Sequence, residues 1–424
     1  MLSGMIELVP LSPVLLMSEG FAPPHPQQAV RPTTLEAHAL SQRLQKCFAS
    51  IQDPRVPRTR LHQLSDILTI AILAILAGGR GWEDMEIYGV SKQAWLSTFL
   101  ALPHGIPSAD TFRRLFERLN PKQFEQCFEQ WVQQLVHELG IQVIAIDGKN
   151  LRGSYDRESG VKALHLVSAW ATEHRLVLAQ SKVQDKSNEI TAIPALLELL
   201  DIKGCIVTLD AMGTQKTIAA QIQQAQADYI LGLKANHPTL WQQVDNWFQT
   251  ARAENTLPMP SEHKTEAGHH RREIRSCWTL PLNSLPPLYQ AESWVGLRTI
   301  VIVERTRHLW NQTTHEIQFY LSSLPANSPR IAAAIRQHWG IENSLHWTLD
   351  VTFGEDDCRV RSLHAPHNLA LLRRFAVNTL NRELTFKRSL KQKSKRAAMD
   401  DAYMLTLLAA ALPVPNQDLQ PSCQ

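Results

Sequence analysis

The segment "IQVIAIDGKN" at residues 141–150 decides the fold. It is a short apolar run, rich in β-branched residues, that ends in Asp-Gly, the pattern of a buried strand followed by a turn. Two more runs of this kind follow, "GCIVTLDA" at 204–211 and "DYILGLK" at 228–234. A hairpin and an amphipathic helix are predicted between the first two runs, and a second helix before the third. The order β-β-β-α-β-α-β predicts an α/β fold, a mixed sheet covered by helices.

Helical patterns dominate the chain before this sheet. Residues 1–48 are predicted to be a loose lead-in, and residues 49–140 a small all-helical domain. Within it, "IPSADTFRRLFERL" has the length of a helix-turn-helix recognition element and carries Arg113 and Arg114. We therefore expect this domain to recognise DNA ends. The alternative is that these arginines form ordinary salt bridges on a helix face.

The chain after the sheet is predicted to hold an insertion and a tail. Strand-like pieces between 236 and 329 predict a β-rich insertion, and a long helical pattern then runs to about residue 383. We expect residues 141–385 to form one α/β domain that this insertion interrupts. The string "KRSLKQKSKR" has six basic residues in ten, and residues 386–424 are expected to be a solvated tail, first basic and then polar.

Composition excludes several classes of protein. The 43 Lys and Arg against 40 Asp and Glu give a net charge of +3, so any affinity for DNA must come from local basic patches. The six Cys include no C-x-x-C pair, which argues against a zinc knuckle or a disulfide framework. The longest apolar run, from Ile67 to Ala77, is far shorter than the roughly 20 residues of a membrane span. We expect a cytoplasmic protein with no membrane contact and no small-molecule cofactor.

Three carboxylates are candidates for a metal site. Asp147 and Asp210 each follow a predicted buried strand, and Glu342 lies in the later helical pattern. If the two strands are neighbours, both aspartates project from one edge of the sheet. Hard oxygen ligands of this kind suit one or two Mg²⁺ ions, which can promote in-line phosphoryl transfer.

Each of these carboxylates also has an ordinary structural interpretation. An Asp after a strand is usually a turn former, and a Glu in a helix usually faces solvent. A rival third ligand exists in the cluster Glu355, Asp356 and Asp357. Glu342 is preferred because a helix is a rigid support, whereas the cluster follows a glycine and is predicted to lie on a loop.

Several strings resemble the H-repeat-associated insertion-sequence transposases of bacteria, members of the DDE, or retroviral-integrase, superfamily. They are "AIDGKNLRGS", "VSAWATEHRLVLAQSKVQDKSNEITAIPALLELLDIKGCIVTLDAMGTQ" and "HWGIENSLHWTLDVTFGEDDCRVR". The segment "DPRVPRTRLHQLSDILTIAILAILAGGRGWEDMEIYG" is similar to the helical domain that precedes the catalytic core in that family. The resemblance covers about residues 48 to 385.

The resemblance implies a ribonuclease-H-like catalytic fold with Asp147, Asp210 and Glu342 as the catalytic, metal-binding triad. It implies Mg²⁺ or Mn²⁺, two ions, and transfer of a 3′-hydroxyl at element ends into target DNA. It also implies a homodimer or larger assembly, since two DNA ends must be brought together. One departure is that the Tyr, Arg and Lys often found around the Glu in related transposases are not at the matching positions here, where His338 and Leu349 stand.

Basic residues near the predicted site are candidates for DNA contacts. For several of these basic residues, an equally ordinary explanation is that they are exposed surface residues after a turn or on a helix. An exposed Trp of the insertion, from among Trp278, Trp294 and Trp310, is a candidate to stack on a base, although a Trp in a strand is more often core. The predicted DNA-contacting residues are Lys149, Arg152, Lys234, Arg336, His338, Arg113 and Arg114.

Two other functions fit the same residues. A nuclease with this fold would need the same metals and would hydrolyse without joining. A non-catalytic DNA-binding protein derived from a decayed element would need no triad. The helical domain, the insertion and the intact carboxylates favour the transposase.

Overall fold

The computed structural model of the protein describes residues 37–136, 139–155, 162–183, 188–268 and 271–411. Most of the predicted lead-in and the end of the predicted tail lie outside these residues. Among them, no helix is both long and apolar enough to cross a membrane.

The described strands are β1 (Val143–Leu151), β2 (Leu164–Ala171), β3 (Leu176–Lys182), β4 (Ile206–Leu209), β5 (Asp228–Leu233), β6 (Glu262–Gly268), β7 (Arg271–Pro281), β8 (Thr299–Leu309) and β9 (Thr313–Ser322). They form one nine-stranded sheet in the order β3-β2-β1-β4-β5-β9-β8-β7-β6. Strand β1 pairs in parallel with β4, and β4 with β5, whereas β1, β2 and β3 form an antiparallel meander. The first five strands thus have the ribonuclease-H-like order, which confirms the predicted fold.

The sheet is covered on both faces because its central strands are apolar on both sides. Val143 and Ile206 pack with Ile331 and Ile335 of a helix on one face, while Ile144 contributes to the large core on the other. This alternation follows from the two-residue period of a strand. The helices are α1 (Ala37–Phe48), α2 (Leu64–Leu76), α3 (Trp82–Ser91), α4 (Gln93–Leu96), α5 (Ala109–Arg118), α6 (Pro121–Val136), α7 (Glu189–Glu198), α8 (Lys216–Gln224), α9 (Pro238–Ala253), α10 (Arg330–His338), α11 (Trp347–Val351), α12 (Ala365–Arg382), α13 (Leu390–Met399) and α14 (Asp401–Ala411).

The insertion continues the core sheet. It begins with helix α9, which sequence patterns did not reveal, and continues with β6 to β9. The last of these strands pairs antiparallel with β5, with Ile230 opposite Ser322. The insertion therefore contains four strands as well as α9, and the edge of β5 is covered by one of these strands.

The helices before and after the sheet pack together. Helix α12 contacts α2, α5 and α6 as well as α13 and α14, and Trp131 donates an indole hydrogen bond to the carbonyl of Ala411 at 2.9 Å. Two expectations were wrong. The solvated tail is helical from Leu390 to Ala411, with Lys393 and Ala397 buried, and the loose lead-in ends in helix α1. Helix α1 docks through Leu44 and Phe48, and the mainly apolar helix α14 buries Tyr403, Met404 and Leu407.

Candidate active site

Asp147 and Asp210 are brought together by the register of β1 and β4. The parallel ladder ends with Ile146 opposite Leu209. Asp147 directly follows Ile146 in the chain, and Asp210 directly follows Leu209. Both carboxylates therefore lie at the same edge of the ladder. The prediction that the strand ends at Asp147 was wrong, because β1 continues to Leu151 along β2. Only the pairing of β1 with β4 ends at Ile146.

The two aspartates are held differently. The Asp210 carboxylate accepts hydrogen bonds from the backbone N–H groups of Met212 at 2.9 Å and Gly213 at 3.1 Å, so it is also the turn former of its ordinary interpretation. Asp147 is mostly buried, and Nδ1 of His346 lies 3.5 Å from its Oδ2. Burial, and then the negative charge of Asp210, raise the pKa of Asp147 to about 7.

Glu342 reaches this edge from a π-helical turn, Ile341–His346, between α10 and α11. Ile341 and Leu345 are fully buried, while Glu342 is exposed. The charge of Glu342 contributes to the raised pKa of Asp147, and the turn contacts β1. Such π-turns recur at functional sites. The charge of Glu342 therefore acts on Asp147, and His346 of the same turn lies beside it; a role for Glu342 as the third ligand stays a prediction.

Two of the three rival carboxylates, Glu355 and Asp356, have other partners. Glu355 is fully buried and pairs with Arg374 and, at 3.8 Å, with Arg373. Asp356 lies 3.3 Å from the ammonium of Lys149. Glu355 therefore belongs to the core.

A fourth carboxylate, Glu189, was missed by sequence reasoning. It opens helix α7, is 8% exposed, and pairs with Nε2 of His165 at 2.8 Å. A Cβ added at Gly148 would lie 2.1 Å from its Oε1, so a glycine is needed beside Asp147. The charge of Glu189 raises the pKa of Asp147 after burial and Asp210. In the sequence, a Glu at the start of a helix is already explained by its favourable interaction with the helix dipole, so Glu189 did not stand out as a site residue.

The donor set fits a divalent cation in its chemistry. Within the described residues, no three His, Cys, Asp or Glu side chains stand close enough to hold a metal ion in this geometry. Yet the carboxylates are hard oxygen donors at one edge, and their mutual repulsion is what a cation would offset.

Most of the predicted DNA contacts near the site have protein partners. The Lys149 ammonium is largely buried and lies 2.7 Å from both carboxylate oxygens of Asp350, so it is not available to a phosphate. Nδ1 of His338 is 2.8 Å from the Thr208 hydroxyl, and burial lowers the pKa of His338 to about 4. Arg336 pairs with Glu266 at 2.9 Å.

The remaining candidates are more accessible. The Arg152 side chain is 83% exposed and its nearest carboxylate is 3.5 Å away, and Lys234 is exposed just past β5. Arg113 and Arg114 are exposed but pair with Asp110 of their own helix, which is the salt-bridge alternative. Their role in DNA binding stays a prediction.

The three tryptophans of the insertion differ in their exposure to solvent. Trp278 and Trp294 are buried, whereas Trp310, in the turn between β8 and β9, is 87% exposed. Trp310 is the one of these three that is free to stack on a base.

The sheet order and its acidic edge define the protein as ribonuclease-H-like. The family described as "Transposase DDE domain" matches residues 138–379, and one described as "DDE_Tnp_1-associated" matches 45–132. The H repeat-associated protein YhhI of Escherichia coli (strain K12) is 38% identical over 360 residues, 82% of this chain and 93% of its own. YncI of Escherichia coli O157:H7 is 36% identical over 353 residues, 82% of this chain and 90% of its own. The chain belongs to the DDE transposase family, in its H repeat-associated group, and is a DNA transposase.

Proposed function

We propose that this transposase cleaves DNA at the ends of its element and joins the 3′-hydroxyl to target DNA in a metal-dependent reaction. The observation that carries the proposal is the position of Asp147 and Asp210, one residue past the last pair of the β1–β4 ladder. Two carboxylates on adjacent strands of a buried sheet have rigid supports, which a reaction centre requires.

Asp147, Asp210 and Glu342 would hold the metal, Mg²⁺ or Mn²⁺, and we expect two ions. When bound, such ions activate a water or 3′-hydroxyl and stabilise the leaving oxygen. The backbone N–H groups of Met212 and Gly213 orient the Asp210 carboxylate. His346 lies beside Asp147 and limits how far that carboxylate can turn.

DNA is the partner, and we expect element ends and target to approach over the exposed residues around this edge. Because they are exposed, we expect Arg152 and Lys234 to contact the DNA backbone and Trp310 to contact a base. Synapsis of two ends implies a homodimer or larger assembly, and the reaction is expected in the cytoplasm.

The test is a reaction of purified protein with DNA that carries the inverted repeats flanking its gene. We expect nicks at the ends and joined products with Mg²⁺ or Mn²⁺, and neither with excess chelator. Nicked ends without joined products would indicate the nuclease instead. Full activity in chelator would exclude the metal mechanism.

A further inference from the structure

Helix α13 and the residues just before it form a basic surface that has no part in the site described above. The segment 387–396 carries six basic residues and lies beyond the residues that either family match covers. No Asp or Glu occurs from Leu384 to Met399, so this segment of the chain carries a single sign of charge.

The helix is fixed to the protein by its other face. The buried ammonium of Lys393 donates to the carbonyl of Leu380 at 2.8 Å and pairs with Glu383 at 3.4 Å. Arg396 stacks on the ring of Tyr403, 4.3 Å from its centre. Two of the six basic residues therefore hold α13 in place.

The other four basic residues point outward and are exposed. None of them forms an ion pair with any residue that the structure describes, in contrast to Arg113 and Arg114. Lys391 and Lys395 are four residues apart on α13, which places their side chains about 6 Å apart, close to twice the rise of about 3.4 Å per phosphate along a DNA strand. The four are Lys387, Arg388, Lys391 and Lys395.

We infer that this basic surface binds the phosphate backbone of double-stranded DNA. The inference rests on the proposed function, in which DNA is the partner, and adds a surface outside the acidic edge. Charge complementarity supports it, because two unpaired cations on α13 and two just before its N-terminus match a polyanion without needing a particular base sequence. The N-terminus of the helix, capped by the Ser389 hydroxyl, adds positive potential at the same end.

The test measures binding of a short random-sequence duplex by the full chain as a function of salt. Each phosphate contact contributes about 0.9 to the slope of log K against log salt, so replacing all four residues by Gln should reduce the slope by about 3 to 4. The matched control replaces Lys387, Lys391 and Lys395 by Arg, which keeps the charges and should keep the slope. Circular dichroism and urea unfolding confirm that both variants fold.

An unchanged slope in the folded Gln variant would overturn the inference while leaving the proposed function intact. If the unaltered protein does not bind duplex DNA at all, the proposed function fails as well. A Gln variant that keeps its DNA slope but loses binding to phosphatidylserine vesicles would assign the basic surface to a membrane and overturn the inference. Substitution of the neighbouring Gln392 by Ala should change nothing.

Discussion

Replacing Glu355 by Gln should lower the free energy of unfolding of the protein, whereas replacing Glu342 by Gln should leave it almost unchanged. Glu355 and its partners Arg373 and Arg374 are at most 1% exposed. Burial alone would raise the pKa of Glu355, but the charges of Arg374 and Arg373 outweigh it and lower the pKa. Removing one member of a buried ion pair costs about 3–5 kcal/mol, because the remaining charges stay buried without a counterion.

The magnitude for Glu342 is much smaller. Its side chain is exposed on the π-helical turn, and surface substitutions usually change stability by about 0.5 kcal/mol or less. Urea unfolding of both variants without metal gives the two free energies, and a strand-transfer assay gives the two activities. We expect Glu342→Gln to be stable and inactive. A stable but inactive Glu355→Gln, beside an active Glu342→Gln, would refute the assignment of the third carboxylate.

Three further predictions follow from contacts around the site. Lys149→Met should reduce strand transfer but leave DNA affinity and its salt dependence unchanged, because Lys149 pairs with Asp350. A weaker dependence of DNA affinity on salt in this variant would show that Lys149 contacts DNA. Trp310→Ala should weaken end binding without changing stability, while Trp278→Ala should cost about 3–5 kcal/mol of unfolding free energy; equal stability losses would contradict this. Since the pKa of His338 falls to about 4, the unfolded chain binds a proton that the folded protein does not between about pH 4 and 6.5. Stability should rise with pH across that window, and urea midpoints of His338→Gln should rise less; an identical pH profile would show that His338 does not titrate in this way.

The sequence predicts the central sheet well and its details less well. Continuous β-branched runs indicate buried strands whatever their neighbours are, so β1, β4 and β5 were found. The Asp-Gly pair after the first run indicated a turn, but β1 continues past Asp147 because β2 supplies hydrogen-bond partners from another part of the chain. That pairing is a tertiary effect with no local signal.

The same distinction holds for the site. The position of Asp147 and Asp210 at one edge of the β1–β4 ladder could be predicted from their strands, whereas the part played by Glu342 stays a prediction. Glu189 could not, since its approach to β1 depends on the missing side chain of Gly148. The burial of Lys149 was also not predictable, because its carboxylate partners lie about two hundred residues further along the chain.

We propose that Asp147 and Asp210 are the required metal ligands of a strand-transfer reaction. The most direct measurement compares strand transfer by Asp147→Asn and Asp210→Asn with that of Asp245→Asn, an isosteric change on helix α9 of the insertion. We predict that both site variants fold, bind element ends and lose joining to below roughly a hundredth of the unaltered rate, while Asp245→Asn keeps it. A folded Asp147→Asn or Asp210→Asn that joins DNA at a rate near that of the unaltered protein would contradict the account.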